Sequence, residues 1–247
     1  MIITRNTGRI PELLQTLVRL DDAEFMESES PIHDVETGVA DACLMELPDV
    51  PQNLGDLEIV TFLERTVPGE VSHPAPVEEA DSVCTDCDRI SAQMDSAGIP
   101  LSEEGVRICT RAWAEALHPE GGLHPVDPDI LVPAPGQGTA VILCRKDDES
   151  TRSILRRLDH RPTRITITVE RGIQHLSGLG PLSPLGVLAE LEGMQLRVRC
   201  FNLLPDGTER RIDCCIFVDY VMDDLLGMAE YLNGKRSEAL FCESAMY

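Results

Sequence analysis

Short apolar runs alternate with helical patterns along most of the chain. Met1–Thr4 and Leu57–Leu63 have the length and composition of strands, and a helical periodicity lies between them around Ile10–Leu20. Thr139–Cys144 is a further strand-like run. This alternation predicts a mixed α/β or α+β architecture, in which helices cover sheets.

The last third of the chain has the clearest element boundaries. The predicted elements are a helix over Ser150–Leu158 with Ser150 as N-cap, a helix over Thr163–Leu176, strands Leu196–Leu204 and Glu209–Tyr220 joined by a Pro205-Asp-Gly207 turn, and a helix Val221–Asn233 closed by Gly234. These predictions depend on residues that are typical of turns and of helix ends.

The middle of the chain is less regular. The proline-rich stretch Pro68–Pro76 predicts a linker or hinge, and Gly105–Leu117 has a helical pattern. A loop rich in glycine and proline, Gly121–Pro128, follows.

Acidic residues are concentrated in one part of the chain. The net charge is −22, and residues 1–150 carry 9 basic against 30 acidic side chains, whereas residues 151–247 carry 12 against 13. Nucleic acid is therefore not expected as a partner, because phosphate binding needs a basic face. The acidic part favours solubility or a basic protein partner.

No apolar run reaches the roughly 18 residues that a membrane span needs, and the N-terminus has no secretion signal. We therefore expect a cytoplasmic protein without a membrane partner. The nine cysteines are expected to be reduced rather than paired.

The Cys84-x-x-Cys87 pair is open to two interpretations besides idle thiols. It matches half of a zinc site or a redox pair, but the chain has no second CxxC to complete four zinc ligands. The six histidines also lack metal-ligand spacing, so no metal site is predicted.

One segment carries a specific motif, Leu131-Val-Pro-Ala-Pro-Gly-Gln-Gly-Thr-Ala-Val-Ile-Leu-Cys-Arg145. It resembles the "LPAxGQGxxxxECR" signature of hydroxymethylbilane synthases, also called porphobilinogen deaminases. Other blocks follow the same family's order, namely Ile3-Thr-Arg-Asn-Thr7, Gly38-Val-Ala-Asp41 with Pro48-Asp-Val-Pro51, Val83-Cys-Thr-Asp-Cys-Asp-Arg89, and Leu158-Asp159-His160 with Glu170-Arg171.

The resemblance implies an α/β fold with two periplasmic-binding-protein-like α/β domains around a cleft and a small C-terminal α/β domain. Domain 1 would comprise residues 1–66 with 133–146, a reduced domain 2 would comprise 67–132, and domain 3 would comprise 147–247. The chain is shorter than the family usually is, and it lacks the family's RGN and TRL elements.

The resemblance also implies a reaction, the stepwise condensation of porphobilinogen to linear hydroxymethylbilane with loss of ammonia. Asp49 matches the catalytic aspartate, whose carboxylate can hold pyrrole N–H groups and stabilise positive charge. Arg5, Thr7 and Arg89 match positions that contact substrate or cofactor carboxylates. As alternatives, Asp49 opens a turn, and each arginine pairs with a neighbouring carboxylate.

The family grows its product on a dipyrromethane cofactor bound to a cysteine in "GGCxxPxG". Here Pro181 stands at that position, while Gly180, Pro184 and Gly186 keep theirs. Proline has no nucleophile, so covalent attachment is predicted to be absent. Cys200, the nearest cysteine in sequence, is the alternative attachment point. The chain is therefore expected to be either a divergent synthase or a catalytically inactive paralogue that binds a small ligand or a partner protein.

Overall fold

The computed structural model describes residues 1–6, 23–51, 53–118, 121–180, 183–218 and 221–237. The chain divides into two compact units. Unit 1 comprises Met1–Pro68 and Gln137–Arg164, and unit 2 comprises Gly69–Gly136 and Ile165–Tyr247. The three predicted domains, 1–66 with 133–146, 67–132 and 147–247, remain a prediction.

The described residues form strands and helices in alternation, so the predicted α/β class is confirmed. The strands are β1 Ile2–Asn6, β2 Glu24–Ser28, β3 Ala42–Glu46, β4 Leu57–Phe62, β5 Glu70–His73, β6 Val83–Cys84, β7 Val106–Thr110, β8 His124–Pro125, β9 Ala140–Arg145, β10 Gly186–Glu192, β11 Gln195–Leu203 and β12 Glu209–Phe217. The helices are α1 Pro31–Glu36, α2 Asp88–Ser96, α3 Arg111–Leu117, α4 Glu149–Leu155, α5 Arg161–Ser177 and α6 Val221–Leu232.

Unit 1 contains a five-stranded sheet in the order β2-β1-β3-β9-β4. β1 is parallel to both β2 and β3, and β9 is antiparallel to its two neighbours. The central strands β3 and β9 are almost entirely buried, which explains why their sequences are continuous apolar runs rather than alternating ones. The late segment β9 therefore completes a sheet that the first sixty residues begin.

Unit 2 contains a four-stranded sheet, β6-β7-β5-β8, and a three-stranded antiparallel sheet, β10-β11-β12. Ile90 and Met94 of α2 pack into the core of the first sheet. Ile173 of α5 and Met228 of α6 pack onto the second sheet. A further cluster of Val132, Leu188 and Phe201 is also buried in this unit.

Gly186 allows a close backbone approach at the start of β10. The Val187 N–H donates to the Pro133 carbonyl at 2.9 Å. A Cβ atom at Gly186 would lie 2.6 Å from the Val132 carbonyl oxygen, which is backbone and cannot move aside cheaply. Glycine is therefore required here by space.

Two predictions about local structure are wrong in detail. Gly105–Leu117 is not one helix, because Val106–Thr110 forms β7 between β5 and β6 and only Arg111–Leu117 is helical. Pro68–Pro76 is not only a linker, since Glu70–His73 forms the strand β5 within it. The predicted hairpin and the helix before Gly234 are confirmed, and the helical pattern at Ile10–Leu20 lies outside the described residues.

The N-cap of α4 is Asp148 rather than the predicted Ser150. The Asp148 carboxylate accepts the Thr151 N–H at 3.1 Å and the Thr151 hydroxyl at 2.7 Å. The Ser150 hydroxyl also donates to it, at 2.8 Å. These hydrogen bonds, that of the Thr151 N–H first, lower the pKa of Asp148 from 3.8 to about 2.

We expect Asp148→Ala to lower the free energy of unfolding by about 1 kcal/mol at neutral pH, because the first turn of α4 loses its cap. The pKa of Asp148 is depressed on folding, so its contribution is present above pH 3.8 and is lost as pH falls through about 2. Urea unfolding followed by circular dichroism should show the difference from wild type at pH 7 and its loss near pH 2. The exposed neighbour variant Asp147→Ala should match wild type, and an equal effect of both variants would contradict the assignment.

Candidate functional site

The strand order of unit 1 makes one edge of its sheet a candidate ligand-binding site. The chain passes from β1 to β2 on one side and then to β3 on the other side of β1. The crossover direction therefore changes between β1 and β3. In open α/β sheets, ligands bind outside the carboxyl ends of the strands at this kind of switch point. We refer to the residues there, Arg5, Asn6, Glu46 and Leu47–Asp49, as the carboxyl edge.

Arg5 supplies positive charge to the carboxyl edge. It is the last residue but one of β1, and the parallel register places it opposite Glu27 of β2. Its Nη2 donates to Glu27 Oε1 at 2.7 Å, with 14% of the Arg5 side chain and 55% of the Glu27 side chain exposed. Arg5 is therefore held in place by a partner that solvent already reaches.

Asp49 lies in the 3-10 turn Leu47–Asp49, directly after β3. The Leu47 N–H donates to the Thr139 carbonyl at 2.8 Å, and the buried Leu47 side chain anchors the turn. Asp49 itself is half-buried. The structure thus brings Arg5 and Asp49 to the same edge of one sheet, with Arg5 near the end of β1 and Asp49 in the turn that follows the parallel strand β3.

Two predicted site residues, Thr7 and Pro181, lie outside the described residues. Arg89 belongs to unit 2 and is described separately from Arg5 and Asp49.

Arg89 is buried inside unit 2. It lies in the first turn of α2, where its Nη1 donates to the Val132 carbonyl at 2.6 Å and its Nη2 pairs with Glu70 of β5. Gln93, one turn later, exchanges two hydrogen bonds with the Val132 backbone. Arg89 therefore takes part in an internal ion pair that connects α2 to β5, and its contact with a ligand remains a prediction.

The GQG motif is held by a hydrogen bond to Glu170, a residue that lies outside the motif. Gly136 has a φ of 81°, and its N–H donates to Glu170 Oε2 at 2.7 Å. Glu170 Oε1 accepts the Ala189 N–H of β10 at 2.9 Å, and the Glu170 side chain is completely buried. Sequence reasoning missed this role, although an acidic residue in the apolar pattern of Thr163–Leu176 was the available signal.

Three of the eight described thiols are buried and poorly placed to act as nucleophiles. Cys43 of β3 and Cys144 of β9 are buried, and burial raises the pKa of Cys43 to about 12 and that of Cys144 to about 11. Both thiols therefore stay protonated at neutral pH. Cys200 of β11 is 1% exposed and packs in the apolar core of unit 2.

Among the described residues, no group of three or more His, Cys, Asp or Glu side chains has a metal-binding arrangement. Within the same residues, no helix has the length and apolar character needed to cross a membrane.

Part of the chain is similar to porphobilinogen deaminases. The similarity to that of Roseiflexus sp. (strain RS-1) is 43% identity over 82 residues, or 33% of this chain and 27% of the relative. The similarity to that of Paracoccus denitrificans (strain Pd 1222) is 37% over 112 residues, or 43% of this chain and 36% of the relative. The matches thus span about a quarter to a third of the relatives' length. No protein-family model matches the chain.

Solved structures with some similarity are effector-binding and regulatory domains. The effector-binding domain of QuiR in complex with shikimate has a TM-score of 0.37 at 13% identity, covering 66% of this chain and 96% of that one. The regulatory domain of HypT from Salmonella typhimurium has a TM-score of 0.37 at 12% identity, with coverages of 64% and 92%. These scores are too low to support any statement about ligands.

Proposed function

We propose that this chain is a hydroxymethylbilane synthase-like protein of tetrapyrrole biosynthesis that binds porphobilinogen or a related acidic pyrrole at the carboxyl edge of unit 1. The observation that supports this most is that Arg5 lies near the carboxyl end of β1, while Asp49 lies in the turn that follows the neighbouring parallel strand β3. The partial similarity to porphobilinogen deaminases at 37–43% identity points to the same ligand class. A cytoplasmic location is part of the proposal.

The two residues have complementary roles in it. Porphobilinogen carries two carboxylates, and a guanidinium fork binds a carboxylate in two parallel hydrogen bonds. Arg5 would pair with a carboxylate of the ligand in place of the exposed Glu27 carboxylate. Asp49 would accept the pyrrole N–H and stabilise positive charge as ammonia leaves. Thr7 would help Arg5 to bind the ligand carboxylate. Arg89 would contribute indirectly, by fixing the position of α2.

A covalently bound dipyrromethane does not fit the residues of this chain. The resemblance implies a cysteine at the sequence position of Pro181, and the chain contains no cysteine between Cys144 and Cys200. The Cys200 sulfur is in the core of unit 2, so a cofactor held there would have to displace packed apolar side chains. Any acidic pyrrole is therefore proposed to bind without a covalent bond.

The lack of a cysteine at position 181 favours a second candidate function. A paralogue that cannot tether a primer would keep the binding site and lose the polymerisation. It would then act as a binding module for a small acidic ligand or for a partner protein, for which the acidic residues 1–150 would favour a basic surface.

Porphobilinogen is expected to raise the melting temperature of the purified chain, because a ligand that binds only the folded state stabilises it. Arg5→Ala should weaken binding about tenfold, the equivalent of about 1.4 kcal/mol, through loss of one carboxylate contact. Glu27→Ala should bind at least as tightly as wild type, since it removes the competing carboxylate. Arg156→Ala, which changes an exposed arginine elsewhere in unit 1, should leave binding unchanged.

The same samples separate the two candidate functions. Formation of a fluorescent porphyrin with release of ammonia identifies a synthase, and binding without pigment identifies the inactive paralogue. Intact mass should show no bound dipyrrole in either case. A chain whose melting temperature ignores porphobilinogen, and which forms no pigment, would rule out the proposed ligand.

A further inference from the structure

Cys84 and Cys87 flank a two-residue loop between β6 and α2 in unit 2. Cys84 is the last residue of β6 and is partly exposed, whereas Cys87 is the N-cap of the nine-residue helix α2. Of the eight cysteines that the structure describes, Cys87 is the only one classed as exposed. The pair therefore places an exposed thiol three residues from a partly exposed one.

The loop turns between the two cysteines. The Cys87 N–H donates to the Thr85 hydroxyl oxygen at 3.2 Å, which folds the chain back over two residues. A disulfide needs Cα atoms about 4.4–6.8 Å apart. Three residues of extended chain would span about 10 Å, and the bend at Asp86 makes the span between the two cysteines shorter than that.

Arg107 and the amino-terminal end of α2 bring positive charge to the loop, beside the carboxylates of Asp86 and Asp88. The amino-terminal end of α2 carries the positive end of the helix dipole, and no side-chain hydrogen bond from Cys87 caps it. Arg107 of β7 lies directly opposite Cys84 in the parallel β6–β7 register. Its Nη1 donates to Asp86 in the middle of the loop at 2.9 Å. The thiolate is the form of cysteine that attacks a disulfide.

Cys109 is a third thiol near the pair, and its pKa is raised. Cys109 lies two residues after Arg107 on β7 and therefore on the same face of the sheet. Burial raises the pKa of Cys109, although Arg107 opposes the rise. Cys109 is thus a poorer nucleophile than an ordinary thiol, whereas the Cys87 thiol is exposed to solvent.

We propose that Cys84 and Cys87 form a redox-active dithiol that reacts with low-molecular-weight disulfides such as oxidised glutathione. The Cys87 thiolate attacks one sulfur of glutathione disulfide, forms a mixed disulfide and releases one glutathione thiolate. The Cys84 thiolate then attacks the Cys87 sulfur and releases the second glutathione. Two electrons pass from the protein to glutathione, and the two thiol protons end on the released glutathione molecules.

The bond can be located by peptide mapping after incubation with oxidised glutathione, alkylation and trypsin digestion without reduction. Cleavage after Arg65, Arg89, Arg107 and Arg111 places both cysteines of the pair in peptide 66–89 and Cys109 in peptide 108–111. In the wild-type chain we expect peptide 66–89 to become lighter by two hydrogen atoms and to lose both alkylation sites. Cys84→Ser should stop the reaction at the glutathione adduct of Cys87, and Cys87→Ser should prevent both products.

Cys215→Ser, which changes a half-buried thiol of β12, is the matched control and should leave the mapping of peptide 66–89 unchanged. Circular dichroism should show that each serine variant keeps its fold. Linkage of peptide 66–89 to 108–111, glutathione retained on wild-type Cys87, or full alkylation of both cysteines after oxidation would each overturn the proposal.

Discussion

Glu170→Ala is expected to lower the free energy of unfolding of unit 2 by about 2–5 kcal/mol, because it leaves two buried N–H groups without an acceptor. The two groups belong to Gly136 and Ala189, which lie 34 and 19 residues away in sequence. Neither can turn to water, since Glu170 is completely buried. Trp113, the only tryptophan of the chain, belongs to unit 2, so its fluorescence during urea unfolding reports on the affected unit.

Two further variants show whether the carboxylate itself is responsible. Glu170→Gln keeps one acceptor oxygen but turns an NH2 group toward the other N–H, so an intermediate loss is expected. Glu192→Ala, which changes an exposed residue at the end of β10, should stay within about 0.5 kcal/mol of wild type. If Glu170→Ala unfolds at the wild-type urea concentration, the carboxylate does not hold the GQG loop.

Arg89→Met should cost about 3–5 kcal/mol of unfolding free energy, because it leaves the Glu70 carboxylate buried without its cation. Glu70 is 3% exposed, and its Oε2 already has no hydrogen-bond partner within the described residues. The double variant Arg89→Met with Glu70→Leu removes both charges, so it should recover most of the loss. Trp113 fluorescence during urea unfolding again reports on the unfolding of unit 2.

Arg236→Ala is the matched control for this series. Arg236 pairs with Glu230 at 3.7 Å at the surface of unit 2, and such pairs contribute about 0–1 kcal/mol. A single Arg89→Met variant as stable as wild type would show that Arg89 has no role in packing and would strengthen its assignment to a ligand. A double variant less stable than either single variant would also contradict the buried-pair interpretation.

Several elements could be predicted because they depend on neighbours in sequence. The hairpin of β11 and β12 follows from two strand-like runs joined by a turn with Gly207, and α6 ends where Gly234 adopts a φ of 80°. Capping was predicted less well. Asp148 and Ser150 both suit an N-cap, and the choice depends on which carboxylate or hydroxyl reaches the Thr151 N–H.

The error at Gly105–Leu117 has a different cause. Val106–Thr110 fits either a helix or a strand by local pattern, but both of its backbone edges are paired, with β5 on one side and β6 on the other. Those partners begin more than twenty residues earlier, so no local window contains them. Long-range pairing overrides a local preference of this kind.

For the candidate site, motifs identified the residues, and the tertiary structure showed which of them are buried. The motifs indicated Arg5 and Asp49, and the parallel pairing of β1 with β2 and β3 then placed them at one edge with Glu27 alongside. Arg89 also came from a motif, yet its guanidinium is buried against Glu70. Whether an arginine binds a ligand or packs inside the fold depends on burial, which the residue type does not reveal.

By itself, the sequence determined the α/β class, the strand-like runs, the hairpin and the absence of a cysteine between Cys144 and Cys200, since each depends on residue identity or on periods of two and 3.6 residues. Only the tertiary structure decided that β9 enters the first sheet, that Glu170 accepts two distant N–H groups, and that Cys87 is exposed while Cys200 is buried. The physical reason is that strand pairing and burial are set by contacts between segments far apart in the chain, whereas periodicity and capping are set within a few residues.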